Sequence, residues 1–192
     1  MAKNATPEQS EQSKKAMADL FSKSVKDAER FKIAYAFDTD VSTTTFVVRK
    51  TTYTYVSYIL GYDEAAQEIV LLETEPGLKE TGEAIYLPRA DVQKGLYSKM
   101  TTNYNLRVPK LKKGYIEFCV PVVTDDPELY PLILQEKEAE DFNKFFMANF
   151  TSGDAGGSST MDSYAEAAEA LADTVKNIGE DVKGKLKGFF KK

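Results

Sequence analysis

The chain has 192 residues, with 25 lysines and arginines, 30 aspartates and glutamates, no histidine and one cysteine. The lack of histidine excludes Ser-His-Asp, Cys-His and zinc-histidine chemistries, because each of them needs an imidazole as a base or a ligand. A net charge of −5 argues against a nucleic-acid-binding surface, since such surfaces are rich in lysine and arginine. We therefore expect a non-enzymatic protein that uses no cofactor and binds no nucleic acid.

The sequence lacks the features of secreted and membrane-spanning proteins. Residues 1–15 are polar and contain no apolar run of the kind found in signal peptides. Cys119 has no second cysteine with which to form an internal disulfide. No run of ~20 apolar residues occurs that could cross a bilayer as a helix. These features predict a cytoplasmic protein.

An amphipathic helix is predicted over residues 7–30, within an N-terminal segment of residues 1–30. Thr6 is suited to cap it, Pro7 to occupy its first position and Gln9 to complete a capping box. Its apolar positions recur at spacings of three and four: Ala16, Met17, Leu20, Phe21, Val25 and Ala28. This stripe predicts packing either on the neighbouring domain or on a second copy in a dimer.

Residues 31–150 are predicted to form a β-rich domain that ends in a helix. Short runs of β-branched and aromatic residues alternate with turn residues up to residue 123. The predicted strands are residues 31–37, 44–49, 53–60, 67–73, 83–87, 96–100, 104–108 and 115–122. Lys112-Lys113-Gly114 is predicted to be a hairpin turn. A helix from Glu136 to Phe150 follows, with an apolar stripe that should pack on the sheet.

Residues 151–160 are rich in glycine and serine and predict a flexible linker. Residues 161–192 then regain helical periodicity, with acidic residues early and lysines late. Lysines near an amphipathic helix with exposed aromatic residues favour contact with an anionic membrane. The predicted membrane-contact residues are Lys183, Lys185, Leu186, Lys187, Phe189, Phe190, Lys191 and Lys192. Packing of this tail on the core or on another copy is one alternative, and a disordered tail is the other.

The acidic pairs Asp38/Asp40 and Asp125/Asp126 invite an enzymatic interpretation. The first pair, after an apolar run, resembles the nucleophile motif of haloacid-dehalogenase-like phosphatases, and this resemblance implies a magnesium-dependent phosphatase. Such a site needs carboxylates at the ends of parallel strands joined by crossover helices, and this region has no helical pattern of that length. We therefore predict that Asp38 and Asp40 are turn residues.

Two further groups are assigned no chemistry. Asp125, Asp126 and Glu128 offer oxygen ligands, but their spacing lacks the alternation and central glycine of a calcium loop, so a solvated acidic turn is predicted. Cys119 lies within a predicted strand and has no histidine to activate it, which predicts a half-buried, inert thiol.

Tyrosines crowd the third predicted strand, beside two basic residues. Sheet packing explains tyrosine and threonine in a strand, and a surface for a ligand is the alternative. The residues of this predicted ligand surface are Arg49, Lys50, Tyr53 and Tyr55.

The order of elements resembles the pleckstrin-homology-like split barrel. A run of strands contains Ile85-Tyr86-Leu87-Pro88, ends with Tyr115-Ile116-Glu117-Phe118 and precedes a single helix. The resemblance covers residues 41–150 and lies in element order. It implies an α+β fold with an antiparallel β-barrel or strongly bent sheet capped by the C-terminal helix, and lipid headgroups or peptides bound at the open end. Arg49 and Lys50 lie nearest to the family's basic pocket, and the strand before residue 41 departs from the pattern.

We therefore expect a non-catalytic binding or scaffolding protein, attached to the inner face of a membrane through its basic tail. Its expected partners are a protein or a second copy of the chain, and an anionic membrane surface. The alternative is a self-associating structural protein whose terminal helices form the oligomer interface.

Overall fold

A computed structural model describes residues 5–45, 49–124 and 126–151, and for residues 39–45 and 49–54 it describes the backbone without the side chains. The fold is α+β, as predicted. In chain order the elements are α1 (Pro7–Ser24), β1 (Lys32–Thr45), β2 (Arg49–Asp63), β3 (Glu68–Thr74), β4 (Thr81–Pro88), β5 (Lys94–Ser98), β6 (Asn103–Arg107), β7 (Tyr115–Cys119), β8 (Val123–Thr124), β9 (Ile133–Leu134) and α2 (Glu136–Asn149). Short 3-10 helices occupy Ala28–Arg30 and Arg89–Asp91.

Seven strands form one sheet in the order β4-β3-β2-β1-β7-β6-β5, and every pairing in it is antiparallel. The sheet is open, since β4 and β5 form its two edges. β8 and β9 form a separate two-stranded sheet. The predicted antiparallel sheet followed by a helix is therefore confirmed, whereas the strands do not close into a barrel.

Helix α1 begins as predicted and ends earlier. The Thr6 hydroxyl accepts a hydrogen bond from the Gln9 N–H at 3.2 Å, and the Gln9 side chain accepts one from the Thr6 N–H at 3.0 Å. The helix ends at Ser24 instead of residue 30, because Val25 is extended and Asp27 adopts a φ of 52°. This reversal brings Phe31 back against Phe21, with ring centroids 5.7 Å apart.

Strand β1 is continuous where two strands with a turn between them were predicted. Asp38 lies opposite Val56 and Asp40 lies opposite Thr54 in an unbroken ladder with β2. The prediction that these aspartates are turn residues is therefore wrong. The β-branched residues after Asp40 continue the extended backbone, and the long partner strand β2 supplies a ladder across both aspartates.

The predictions for β3, β4, β5 and β6 are confirmed within two residues at each end. The turn at Lys112-Lys113-Gly114 is also confirmed, and Gly114 has a φ of 75°, which glycine adopts without strain. Strand β7 ends at Cys119, three residues earlier than predicted. The predicted linker beyond Thr151 and the predicted tail lie outside the described residues.

The two helices bury opposite faces of the sheet. On one face, α2 places Phe142, Phe145 and Phe146 against aromatic residues of the strands. On the other face, α1 places Met17 and Phe21 against a second cluster. The apolar stripe of α1 therefore packs on the sheet of its own chain, as the first of the two predicted alternatives requires.

Two polar side chains bond to backbone groups as a neighbouring strand would. The buried Gln135 amide accepts a hydrogen bond from the Tyr35 N–H at 2.7 Å and donates to the Tyr35 carbonyl at 2.8 Å. Ser10 of α1 accepts from the Leu134 N–H at 2.9 Å and donates to its carbonyl at 3.2 Å. These contacts fasten residues 133–135 to both β1 and α1.

Candidate functional site

A cleft of about 370 Å³ opens where β1 and β7 separate. Among the described residues, these two strands pair only at Phe37 and Cys119. Beyond this pair the strands diverge, and the gap is bounded by the turn between β6 and β7. Asp38, Tyr58, Asn103, Leu111, Lys112, Lys113, Tyr115, Ile116 and Glu117 line it. We call this feature the β1–β7 cleft.

Glu117 is the best-positioned polar group of the cleft. Its carboxylate accepts hydrogen bonds from the Asn103 amide at 2.6 Å and from the Asn105 amide at 3.4 Å. Asn105 lies directly opposite Glu117 in the β6–β7 ladder, so strand register sets this geometry. The carboxylate is therefore held by rigid elements at the side of the cleft.

The cleft carries both signs of charge. Lys112 and Lys113 come from the β6–β7 turn, whereas Asp38 comes from β1 and Glu117 from β7. A free anion entering the cleft would meet two carboxylates as well as two ammonium groups. This mixture favours a ligand that itself presents both charges, or polar groups such as peptide amides.

Two tyrosines, Tyr58 and Tyr115, and two aliphatic residues form the largely apolar part of the lining. Tyr58 is 7% exposed and belongs to the core under α2. Burial, followed by the nearby carboxylates of Asp38 and Glu73, raises the pKa of Tyr58 to about 12. The phenol is therefore neutral at physiological pH, where it is a hydrogen-bond donor or acceptor and not a base.

The predicted ligand surface lies partly outside the described side chains. Arg49, Lys50 and Tyr53 lie in β2, but their side chains are outside the described part of the chain. Tyr55 is 40% exposed, and its ring packs edge-on against that of Tyr130, with 5.9 Å between the ring centroids. The ring of Tyr130 also packs on that of Phe37, with 4.8 Å between the ring centroids. By strand alternation Tyr55 faces away from Tyr58, so it lies on the opposite face of the sheet from that residue of the cleft lining.

The other predicted residues do not assemble into a reactive site. Among the described residues, no group of three or more cysteine, aspartate or glutamate side chains could hold a metal ion. Asp126 accepts a hydrogen bond from the Glu128 N–H at 3.0 Å, which is an ordinary turn contact, and Asp125 lies outside the described residues. The antiparallel order does not supply the neighbouring parallel strand ends that the phosphatase hypothesis requires.

Cys119 is buried and free. Burial raises the pKa of its thiol, against the opposing effect of a contact with the Thr102 hydroxyl at 3.3 Å. A buried thiol with a raised pKa is a poor nucleophile at neutral pH.

The residues of the cleft belong to no common sequence pattern. In the sequence, Tyr58 is typical of a strand and Lys112 and Lys113 are typical of a turn. Asn103 and Glu117 are polar residues with no distinctive spacing. Only the pairing of β6 with β7 and the divergence of β7 from β1 bring them together. No local sequence signal identifies such a site.

No protein-family model, curated protein or solved structure matches this chain. None of the described helices is long and apolar enough to cross a membrane. The chemistry of the cleft and the sequence of the tail are therefore the basis of the functional proposals.

Proposed function

We propose that this chain is a non-catalytic binding or scaffolding protein that holds a polypeptide segment of a partner in the β1–β7 cleft. The observation that carries the proposal is the lining of the cleft, in which Glu117 is held by asparagines next to two lysines and an apolar floor. A peptide presents amides, apolar side chains and both charges, so it complements each part of this lining.

A relationship to the pleckstrin-homology-like split barrel is part of the same proposal. The strand order β4-β3-β2-β1-β7-β6-β5 and the single helix after the last long strand support it. In such a fold the end left open by the C-terminal helix carries the ligand. Tyr58 of the cleft lining lies on the face of the sheet that α2 covers, whereas Glu117 and Asn103 alternate with Phe118 and Tyr104 of that face.

The test is selection of a random peptide library against the immobilised protein. We expect enriched peptides to lose binding when Glu117→Gln and Lys112→Gln are combined, since these substitutions remove charge with little change in shape. Lys23→Gln combined with Glu29→Gln is the matched control, because both residues are exposed and lie outside the cleft. Equal binding to both double variants, or no enrichment, contradicts the proposal.

Membrane attachment by the tail is the second candidate function. Residues 182–192 contain five lysines, no acidic residue and the pair Phe189-Phe190. Each lysine close to an anionic surface contributes ~1 kcal/mol, and this attraction weakens with salt. These residues lie outside the described part of the chain, so the sequence alone supports the proposal.

Co-sedimentation with vesicles of phosphatidylcholine and phosphatidylserine tests the tail. We expect the full chain to pellet at low salt and less at high salt. Phe189→Ser combined with Phe190→Ser, and separately truncation after Gly157, should reduce pelleting. Equal pelleting of all three proteins contradicts membrane attachment by this segment.

A further inference from the structure

Strands β1 and β2 continue past the sheet as a two-stranded ribbon. The last pair between β2 and β3 joins Ser57 to Thr74, and the β1–β7 pair is at Phe37. Residues 38–45 and 49–56 nevertheless remain paired with each other, which gives eight further residue pairs. We call these two segments the ribbon. A two-stranded ribbon is marginally stable in water without further strands or packing.

The direction of the backbone groups along the ribbon follows from Tyr35. Its N–H and carbonyl both bond to Gln135, so they point away from β2 at the pair Tyr35–Ile59. Antiparallel pairs alternate between bonded and non-bonded, and the register is unbroken. The N–H and carbonyl groups of Thr51, Tyr53 and Tyr55 therefore point to the outer edge of β2. No described strand pairs with that edge between residues 49 and 56.

The terminal edges of the sheet differ from this edge. Strand β4 has a register shift against β3, a glycine at position 82 and a proline at its end. Strand β5 has five residues, and Thr151 bridges to its Gly95. Such features discourage pairing with another chain. Residues 49–56 contain neither glycine nor proline and are mostly threonine, tyrosine and valine, which favours pairing.

We infer that the outer edge of β2 pairs with the same edge of a second copy, antiparallel and around a two-fold axis centred on Thr52. This register is the longest that stops before Ser57, which already pairs with Thr74. It places Arg49 and Lys50 of one copy opposite Tyr55 and Thr54 of the other.

Charge favours this arrangement over a parallel one. An in-register parallel pairing places Arg49 beside Arg49 and Lys50 beside Lys50, and like charges at adjacent positions destabilise a sheet. The two-fold arrangement separates the basic residues and uses both edges completely. It therefore gives a closed dimer with a four-stranded ribbon, and not an open filament.

Thr43 and Thr51 provide a matched pair of substitutions, because they lie directly opposite each other in the ladder. Both N–H groups point to an outer edge, Thr51 to the proposed interface and Thr43 to the opposite side. Proline at either position removes an N–H that the ribbon itself does not use. Sedimentation of the full chain should show a concentration-dependent dimer, and Thr51→Pro should raise its dissociation constant about tenfold or more. Thr43→Pro should leave the dimer intact.

A wild-type chain that stays monomeric at all concentrations overturns the inference, as does an equal loss of dimer in both proline variants. Circular dichroism checks that each variant is folded. Amide hydrogen exchange of the unmodified chain gives an independent readout. The amides of Thr51, Tyr53 and Tyr55 should exchange more slowly as concentration rises. Protection that does not change with concentration means that another segment of the same chain covers this edge, and it also overturns the inference.

Discussion

The two ends of the β1–β2 hairpin form one continuous ladder but differ in their surroundings. At the base, Tyr35 and Ile59 are fully buried, a helix covers each face, and β3 adds its ladder to β2. In the ribbon, each strand has only the other as a described strand neighbour. Isoleucine, phenylalanine and tyrosine favour strand at the base, and threonine, tyrosine and valine favour it in the ribbon. Strand formation therefore follows from local sequence, whereas stability depends on the layers that cover the strand.

The largest expected effect comes from removing the layer at the base. Phe142 is fully buried in α2 and its ring contacts those of Tyr62, Tyr104 and Phe118. Phe142→Ala should lower the free energy of unfolding by about 3–5 kcal/mol, measured by urea denaturation. Met147→Ala is the control, since Met147 is exposed on the same helix. Equal losses in the two variants contradict the proposed role of α2.

The next effect concerns Gln135, the side chain that replaces a strand next to Tyr35. Its amide makes the two bonds to Tyr35 and a third to the Pro121 carbonyl at 2.6 Å. Gln135→Leu leaves these buried groups without partners and should cost about 2–4 kcal/mol of unfolding free energy. Gln93→Leu, at an exposed position, should change stability by less than about 0.5 kcal/mol. A small loss of unfolding free energy in Gln135→Leu means that water bonds to the Tyr35 backbone in place of the amide.

A smaller effect is expected where α1 meets the base of the hairpin. A Cβ atom at Gly61 would lie 2.3 Å from Cζ of Phe21, and that ring is buried. Gly61→Ala should therefore cost about 1–3 kcal/mol by overpacking. Phe21→Leu removes part of the ring that the new methyl group would meet. Gly61→Ala should therefore cost less in a chain that already carries Phe21→Leu than in the unmodified chain. Additive losses in a double-mutant cycle contradict the contact.

The smallest effect is on acid stability at the end of the hairpin base. Burial raises the pKa of Asp63, but hydrogen bonds from the Ala66 and Ala65 N–H groups and from Arg30 outweigh it and hold the pKa below the ordinary 3.8. Because the folded pKa is the lower one, the carboxylate stabilises the fold at neutral pH, and this contribution is lost as the pH falls below 3.8.

Asp63→Asn should therefore lower the free energy of unfolding by about 1 kcal/mol at neutral pH, a small loss because the Arg30 partner is partly exposed. As the pH falls, the stability of this variant should decline less steeply than that of the unmodified chain. Urea denaturation across the acid range measures both. An unchanged slope excludes Asp63 as a contributor.

Local patterns were sufficient for the features that depend on neighbouring residues. The Thr6–Gln9 capping box, the turn at Gly114 and the phenylalanine stripe of α2 each follow from spacing within a few residues. The end of α1 did not, because it depends on the contact between Phe21 and Phe31.

The errors in the strands and the site come from long-range pairing. Asp38 and Asp40 looked like turn residues, but the ladder with β2 keeps them extended. The cleft joins Asp38 to residues 65 and more positions later in the chain, such as Asn103 and Glu117. Their proximity depends on the divergence of β7 from β1, and hydrophobic periodicity carries no information about divergence.

The bonds between Ser10 and Leu134 have a consequence for how the chain acquires its structure. These residues are 124 positions apart, and Tyr35 and Gln135 are 100 apart. Contacts of such separation form slowly, because a long loop must close before any of them is made. During synthesis α1 is made 110 or more residues before Leu134, the residue that anchors it. We expect α1 to dock in a late step, so pulse-labelled hydrogen exchange during refolding should protect the amides of β2 and β3 before those of α1. Simultaneous protection of all three means that the chain closes these long loops in its first cooperative step.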